Sequence, residues 1–382
     1  MKISTRILAF LLSVLVLTSL AAARDTEVTR SKSFIVSKGG TLELSTSMGD
    51  VRIKTWDKNE VYVSVDGLDD RELERLKMTQ DGNTVRVSFR SSWGHWSGHV
   101  VFDVSVPAQF NLDMSTSGGD LTVSGALNGK IDGSTAGGDI KLGDVNGGPV
   151  EMTTSGGDIT AGNLQGDGRL KTAGGDIKVG TVNGTLEVAT SGGDITVQSV
   201  TKSLEAKTAG GDIQIGDVGG EAKVSTSGGS IDVGKVSGRA SLSTAGGDIE
   251  LKGASGRVVA RTSGGDVRLQ GITGSIEAKT AGGEVDAELV PSGKGDSKLT
   301  SAGGTIRLAV PENARATIEA VIRFEGWGRH ADRYQVRSEF KQESYNTDMD
   351  AGEIRAVYKL NGGGDAIYLQ TVNADIELKK LR

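Results

Sequence analysis

The chain has 382 residues, no cysteine and a net charge of −6 from 43 basic and 49 acidic residues. The lack of cysteine excludes a disulfide framework and a lipid-modified cysteine, and the interspersed charges exclude a basic surface of the kind that binds nucleic acid. With 57 glycines, 4 prolines and 4% aromatic residues, the composition is not that of an ordinary globular domain.

Residues 1–23 have the pattern of a secretory signal peptide. Lys2 and Arg6 precede an apolar run over residues 7–20, and three alanines at 21–23 supply a cleavage site. The run is too short for a comfortable membrane span, and no later segment approaches 18 continuous apolar residues. The sequence therefore predicts export to the periplasm or the cell exterior, with a mature chain that starts near Arg24 and has no membrane span.

Residues 24–110 predict a β-rich capping region. The segments VYVSV, TVRVSF and HVVFDVSVP alternate apolar and polar residues, which is typical of strands with one buried face. A short polar helix is expected around residues 70–78, and residues 46–53 form one early coil-like motif ahead of Trp56.

The segment SSWGHWSGH in this region is a candidate ligand-binding loop. It contains Trp93, His95, Trp96 and His99. On a helix the two histidines would pair as metal ligands, but glycine and serine favour a loop, and no third ligand is obvious. The tryptophans could stack on a sugar or a partner, or pack within the cap.

Residues 111–310 are a tandem repeat. From Asp158 to Glu284, the acidic residue that follows a Gly-Gly pair recurs every 18 residues. Because such self-similarity decides the architecture, we expect a stack of similar coils.

Within one repeat, LEVATSGGDITVQSVTKS, five positions stay apolar from coil to coil. Pairs spaced by two residues predict short strands with one buried face. The alternation changes phase at three places, which predicts a three-sided coil, and glycine is expected at the corners because it reaches positive φ without steric cost. The five inward positions in this repeat are Leu186, Val188, Ile195, Val197 and Val200.

A single coil cannot bury its own inward face, so the coils must stack and pair through backbone hydrogen bonds. The predicted fold is an all-β parallel β-solenoid of about 18-residue coils, right-handed by the rule for parallel crossovers, with β-rich capping segments at both ends. Residues 311–382 form the predicted C-terminal cap, ending in two degenerate coils at 364–365 and 373–376.

Two polar ladders run along the repeat. A threonine four residues before the acidic position is expected to pack inward and to satisfy backbone groups near the glycine corner. The aspartates are expected to cap turn N–H groups; stacked carboxylates are also calcium ligands, so calcium binding is the alternative. The aspartates concerned are Asp139, Asp158, Asp176, Asp194, Asp212, Asp248 and Asp266.

The nearly constant coil length disfavours catalysis. A polysaccharide-acting β-helix enzyme needs convergent carboxylates and basic residues on long loops from one face, and residues 111–290 leave no room for such loops. We therefore expect neither a catalytic residue nor a cofactor other than calcium.

Three features together resemble the bacterial putative adhesin family, an exported β-solenoid family of unknown function. They are Gly-Asp-Val-x-Ile at 49–53 followed by Trp56-Asp57, a Val-Pro strand ending at Pro107, and repeated Ser/Ala-Gly-Gly-Asp-Ile-x-Val coils. The resemblance implies surface interaction and assigns no functional residue.

The sequence as a whole predicts a non-catalytic, exported, adhesin-like or scaffolding module. Its expected partner is a cell-surface or envelope protein, or a polysaccharide. The alternatives are a polysaccharide-acting β-helix enzyme and a calcium-dependent surface or matrix structural protein, and the oligomeric state stays open.

Overall fold

The computed structural model describes residues 28–91, 99–324 and 333–381. In this part of the chain the fold is all-β apart from a four-residue helix, α1 (Asp70–Leu73). The strands form two long sheets that face each other across a continuous apolar core. The predicted all-β solenoid is confirmed.

The N-terminal region contributes seven strands and the helix. They are β1 (Val28–Ile35), β2 (Gly40–Thr46), β3 (Asp50–Trp56), β4 (Glu60–Leu68), β5 (Lys77–Asp81), β6 (Thr84–Phe89) and β7 (Val101–Pro107). The helix is shorter than expected, because residues 77–81 form strand β5 rather than its last turn.

The repeats contribute strands in a regular alternation. They are β8 (Phe110–Thr116), β9 (Leu121–Ser124), β10 (Leu127–Asn128), β11 (Ile131–Thr135), β12 (Ile140–Leu142), β13 (Val145–Gly147), β14 (Val150–Thr153), β15 (Ile159–Ala161), β16 (Gly168–Lys171), β17 (Ile177–Val182), β18 (Leu186–Ala189), β19 (Ile195–Val200), β20 (Leu204–Lys207), β21 (Ile213–Val218), β22 (Ala222–Ser225), β23 (Ile231–Val236), β24 (Ala240–Ser243), β25 (Ile249–Ala254), β26 (Val258–Arg261), β27 (Val267–Ile272), β28 (Ile276–Thr280), β29 (Val285–Leu289), β30 (Ser297–Ser301) and β31 (Ile306–Pro311).

The C-terminal region adds six strands. They are β32 (Ala316–Arg323), β33 (Val336–Ser338), β34 (Ser344–Asp348), β35 (Glu353–Leu360), β36 (Asp365–Val372) and β37 (Ile376–Leu381).

Each coil places one strand in each sheet. The first sheet collects the strands that follow a Gly-Gly corner, such as β17 and β19, and the second collects the strands that precede it, such as β18 and β20. All pairing between successive coils is parallel and shifted by one repeat, so that Ile177 lies opposite Ile195 and Leu186 opposite Leu204.

The predicted third side is present but is not an independent sheet. In the early coils β13 is a strand separate from β12, and it pairs with β10. Leu164 forms isolated bridges with Val145 on one side and with Val182 on the other. In later coils the same stretch continues the first-sheet strand, as at the end of β17 and β19. The corner between Val179 and Val182 is therefore a bend in a strand rather than a break.

The core consists of the five apolar positions predicted from the repeat. Leu186, Val188, Ile195, Val197 and Val200 are each at most 2% exposed. Each such burial stabilises the fold by about 1.5–3 kcal/mol relative to an exposed side chain. Because equivalent residues stack on one another along the array, the core continues through all described coils.

At both ends the coil order in space departs from the order in sequence. The coil of β2 and β3 lies between the coils of β6–β7 and β8–β9. At the other end the coil of β36 and β37 lies between those of β30–β31 and β32–β33. The two degenerate coils expected at 364–365 and 373–376 are thus one coil, inserted beneath the outermost strands.

Antiparallel strands complete each end. In the first sheet β4 pairs with β7 and β1 with β4, and in the second sheet β5 pairs with β6. At the C-terminal end β35 pairs with β32, and β34 pairs with β35. With 17 strands in the first sheet and 4.8 Å between strands, the described residues form a rod about 80 Å long.

Candidate functional site

The glycine corner is tight because neighbouring coils approach closely, not because of an unusual backbone angle. Neither Gly192 nor Gly193 has a positive φ, so the expectation of a left-handed corner was wrong. A Cβ atom added to Gly193 would lie under 3.0 Å from the carbonyl oxygen of Gly175 in the coil before. Glycine is needed here for backbone contact between coils.

The threonine ladder ties each coil to the one before it. The Oγ1 of Thr208 donates to the carbonyl oxygen of Gly193 at 2.9 Å and accepts from the N–H of Gly211 at 3.4 Å. The same two bonds recur at Thr190 and Thr226. The predicted structural role of these buried hydroxyls is confirmed.

The aspartate ladder makes the complementary contact. From Asp120 to Asp266, one carboxylate oxygen of each ladder aspartate accepts the backbone N–H of the equivalent residue in the next coil, as from Asp176 to Asp158 at 2.8 Å and from Asp212 to Asp194 at 2.8 Å. Ser230 replaces the carboxylate with a hydroxyl that accepts from Asp248 at 3.2 Å. The row of negative charge is thus fixed by backbone donors.

Where a lysine also lies nearby, these hydrogen bonds lower the pKa of a ladder aspartate. The pKa of Asp139 is lowered chiefly by the N–H of Asp158, with a further contribution from Lys141, while burial opposes both. Lys141 lies 3.3 Å from the second oxygen of Asp139, and Lys178 lies 3.8 Å from Asp176. Cations beside the ladder therefore offset part of its mutual repulsion.

The ladder is also the predicted calcium site. Within residues 28–91, 99–324 and 333–381, no three His, Cys, Asp or Glu side chains come together closely enough to hold a metal ion. The backbone contacts give one oxygen of each aspartate a structural role, and calcium binding stays a prediction.

Only one of the four candidate residues of the predicted ligand loop is in the described part of the chain. Trp93, His95 and Trp96 lie outside it. The exposed His99 places Nε2 3.2 Å from a carboxylate oxygen of Asp50, whose other oxygen accepts the N–H of Asp120. His99 therefore contacts the first member of the aspartate ladder.

The outer faces of the middle coils carry two shallow, open depressions. One, of about 670 Å³, lies on the first sheet around Lys178, Gln214 and Asp217. The other, of about 570 Å³, lies on the second sheet around Glu205, Lys223 and Arg261. Many of the charged side chains are already paired, for example Lys223 with Glu205 at 2.8 Å.

A further cavity, of about 330 Å³, lies on the outer face of the first sheet near the N-terminal end. We call it the Tyr62 cavity; it is lined by Arg52, Ile53, Lys54, Tyr62, Asp103, Val104, Ser105, Thr122 and Ser124. The strand register places Tyr62 beside Ser105, and Ser105 beside Lys54, on three neighbouring strands. Tyr62 is 36% exposed, whereas Ser105 is buried at the floor.

The polar groups of this cavity differ from those of the middle coils. Within the described residues, neither Lys54 nor Asp103 forms an ion pair, whereas Arg52 contacts Asp50 at 3.3 Å. An exposed aromatic ring beside an unpaired cation and an unpaired carboxylate is suited to a ligand with both apolar faces and hydroxyl groups. Tyr62 was not predicted as a site residue from the sequence, although its signal is there: an aromatic residue at an outward position of VYVSV.

A family model matches the chain twice, over residues 40–216 and 198–324, and its description is Toastrack DUF4097. The chain belongs to the Toastrack family. The two matches together extend over most of the described coils, including the inserted N-terminal coil, and confirm the resemblance inferred from the sequence. No curated protein sequence matches the chain.

Several solved structures are similar to this Toastrack protein at low identity. A putative adhesin from Parabacteroides distasonis is 14% identical over 75% of this chain and 98% of its own, with a TM-score of 0.31. A putative adhesin from Parabacteroides merdae is 14% identical over 69% and 96%, with a TM-score of 0.34. A putative lipid binding protein from Parabacteroides distasonis is 13% identical over 74% and 93%, with a TM-score of 0.25.

In the described part of this Toastrack protein, no helix has both the length and the apolar character required to cross a membrane.

Proposed function

We propose that this Toastrack protein is an exported, non-catalytic rod that serves as an adhesive or scaffolding module at the cell surface or envelope. The observation that carries the proposal is that the polar residues of the repeat make their contacts within the rod, from one coil to the next. The threonines, aspartates and corner glycines bind one another between coils, so the ladders build a rigid rod and leave its outer faces to make contacts.

The ionised carboxylates of the described residues favour this role over the enzymatic alternative. A polysaccharide-cleaving site needs an acid and a base that converge on one bond. Among the described residues, the carboxylates with a lowered pKa owe it to hydrogen bonds or ion pairs that hold the fold, as Glu187 does with Lys171 and Glu277 with Arg257 and Arg261. These groups are engaged in structure rather than held ready for proton transfer.

The site we propose for recognition is the Tyr62 cavity, and the ligand class is carbohydrate. A sugar presents C–H groups that pack on an aromatic ring and hydroxyls that exchange hydrogen bonds with ionised groups. Tyr62 supplies the ring, Lys54 a donor and Asp103 an acceptor. Because the cavity is shallow and open, it suits an exposed residue of a longer polysaccharide.

A glycan array probed with the chain over residues 24–382 tests this function. We expect binding to at least one envelope polysaccharide, reduced tenfold or more by Tyr62→Ala, which removes about 1.4 kcal/mol or more. Tyr368→Ala is the matched control, because Tyr368 also carries a nearby lysine, Lys298, on the other sheet.

The double variant Trp93→Ala/Trp96→Ala separates the two candidate sites. Binding that survives this variant and is lost in Tyr62→Ala supports the Tyr62 cavity, and the opposite pattern moves the site to the loop. Capture of an envelope protein without glycan binding would support scaffolding, whereas shortening of a polysaccharide by the protein would contradict a non-catalytic role.

A further inference from the structure

Strand β34 is an exposed edge at the C-terminal end of the second sheet. It pairs antiparallel with β35 on one side, and no described strand pairs with its other side. All five of its residues are exposed. A strand edge of this kind presents unpaired N–H and C=O groups and is a template for another strand.

The two N-terminal edges are protected in ways that β34 is not. Strand β1 carries Arg30 and Lys32 and has a register shift after Val28. Strand β5 carries Lys77 and is tied to β1, since Lys32 donates to the carbonyl oxygen of Met78 at 3.0 Å. Positive charge, bulges and covering contacts are common means of blocking edge pairing. Strand β34 contains no lysine and no proline.

An aromatic side chain is also exposed at this edge. Tyr345 in β34, at 42%, is one of four large apolar residues that are exposed in the described part of the chain. Within the described residues, the side chains of Ser344, Asn346 and Thr347 form no hydrogen bond. Both backbone and side-chain groups of β34 are therefore available to contact another strand.

We propose that β34 pairs antiparallel with β34 of a second copy and so joins two rods tail to tail. A pairing centred on the middle of the strand places Asn346 opposite the same residue of the second copy. Ser344 then lies opposite Asp348, where its hydroxyl can donate to the carboxylate, and Tyr345 lies opposite Thr347. No like charges face each other, so the strand is complementary to itself.

This inference goes beyond the proposed function and does not depend on it. Tail-to-tail pairing continues the second sheet from one copy into the next and gives an assembly about 160 Å long. Both N-terminal ends then point outward. If each Tyr62 cavity binds a glycan, the pair binds a polysaccharide surface with the gain in affinity that two linked sites provide.

Sedimentation velocity on a concentration series tests the pairing. We expect the chain over residues 24–382 to form a dimer at roughly 100 μM or below. Asn346→Asp and Asn346→Lys each place like charges opposite one another at the two-fold axis and should weaken dimerisation tenfold or more. An equimolar mixture of the two variants should restore it, because opposite charges then meet.

The restoration shows that each variant is folded. Thr79→Asp is the matched control, because Thr79 lies in edge strand β5 opposite Arg86, as Asn346 lies in β34 opposite Arg355; it should leave the dimer unchanged. A wild-type chain that stays monomeric overturns the proposal. So does a dimer that neither Asn346 variant weakens, or one that mixing fails to restore.

Discussion

The middle coils and the two ends of this rod are built on different principles. In the middle, the ladder residues bind neighbouring coils: Thr208 binds Gly193 in the coil before it, and Asp194 binds Asp212 in the coil after it. At each end antiparallel strands are added, one coil is inserted out of sequence, and an aromatic side chain is exposed, Tyr62 at one end and Tyr345 at the other.

Because of this difference, we expect the middle coils to determine stability and the ends to determine recognition. Substitutions in the ladders should affect folding and leave binding unchanged in the molecules that fold. Substitutions at the outer surfaces of the ends should do the reverse.

The glycine corner should be the most sensitive point of the middle coils. Gly193→Ala forces a Cβ atom against the backbone of Gly175, which cannot move aside without shifting the neighbouring coil, and should cost about 3 kcal/mol of unfolding free energy. Chemical denaturation followed by circular dichroism measures it. Gly118→Ala is the control, since no atom lies within 4 Å of its Cβ position; equal stability of the two variants would contradict close approach between coils.

The threonine ladder should come next. Thr208→Val keeps the shape but leaves the partly buried carbonyl of Gly193 and N–H of Gly211 without the hydroxyl, at a cost of about 2 kcal/mol. Thr196→Val, on the outward side of β19, should change stability by less than about 0.5 kcal/mol. The same denaturation experiment compares them, and similar losses at both sites would mean that the hydroxyl contacts contribute little.

The aspartate ladder should show its contribution through pH. The folded-state pKa of Asp139 is lowered, first by the N–H of Asp158. Its stabilisation is therefore present above the ordinary value of 3.8 and is lost as pH falls through the lowered value. Asp139→Asn should destabilise the protein at pH 7 by less than about 1 kcal/mol, with the difference vanishing in acid.

The exposed Asp113, whose side chain forms no hydrogen bond within the described residues, supplies the control variant Asp113→Asn. A difference between Asp139→Asn and wild type that stays constant from neutral to acidic pH would show that the charge of Asp139 is not stabilised by the fold.

Calcium should have the smallest effect. Because backbone N–H groups already bind one oxygen of each ladder aspartate, we expect chelation to shift the melting temperature by less than about 1 °C. Calorimetric titration with calcium measures the heat directly. A clear binding heat together with a melting temperature several degrees higher would establish the ladder as a metal site.

The repeat could be predicted from the sequence because its contacts recur at one spacing. The inward positions of Leu186 and Val200 and the hydroxyl role of the threonines follow from local alternation. The reason for glycine at 193 could not be obtained this way, because the atom it avoids belongs to Gly175 in another coil. The contact exists only once the coils have stacked.

The ends were harder to predict for a related reason. The insertion of β36 and β37 beneath β32 depends on pairing between distant strands, and local pattern does not encode which strand lies outermost. The neighbours that make Tyr62 part of a cavity, Lys54 and Ser105, come from separate strands. Residues 92–98, where the sequence placed its candidate loop, lie outside the described structure.

Glycan binding by the wild-type chain and by Tyr62→Ala, measured side by side with the stability of both, tests the division between ends and middle most directly. We expect the substitution to abolish or weaken binding tenfold or more while the unfolding free energy changes by less than about 1 kcal/mol. Unchanged binding at unchanged stability would contradict the assignment of recognition to this end of the rod.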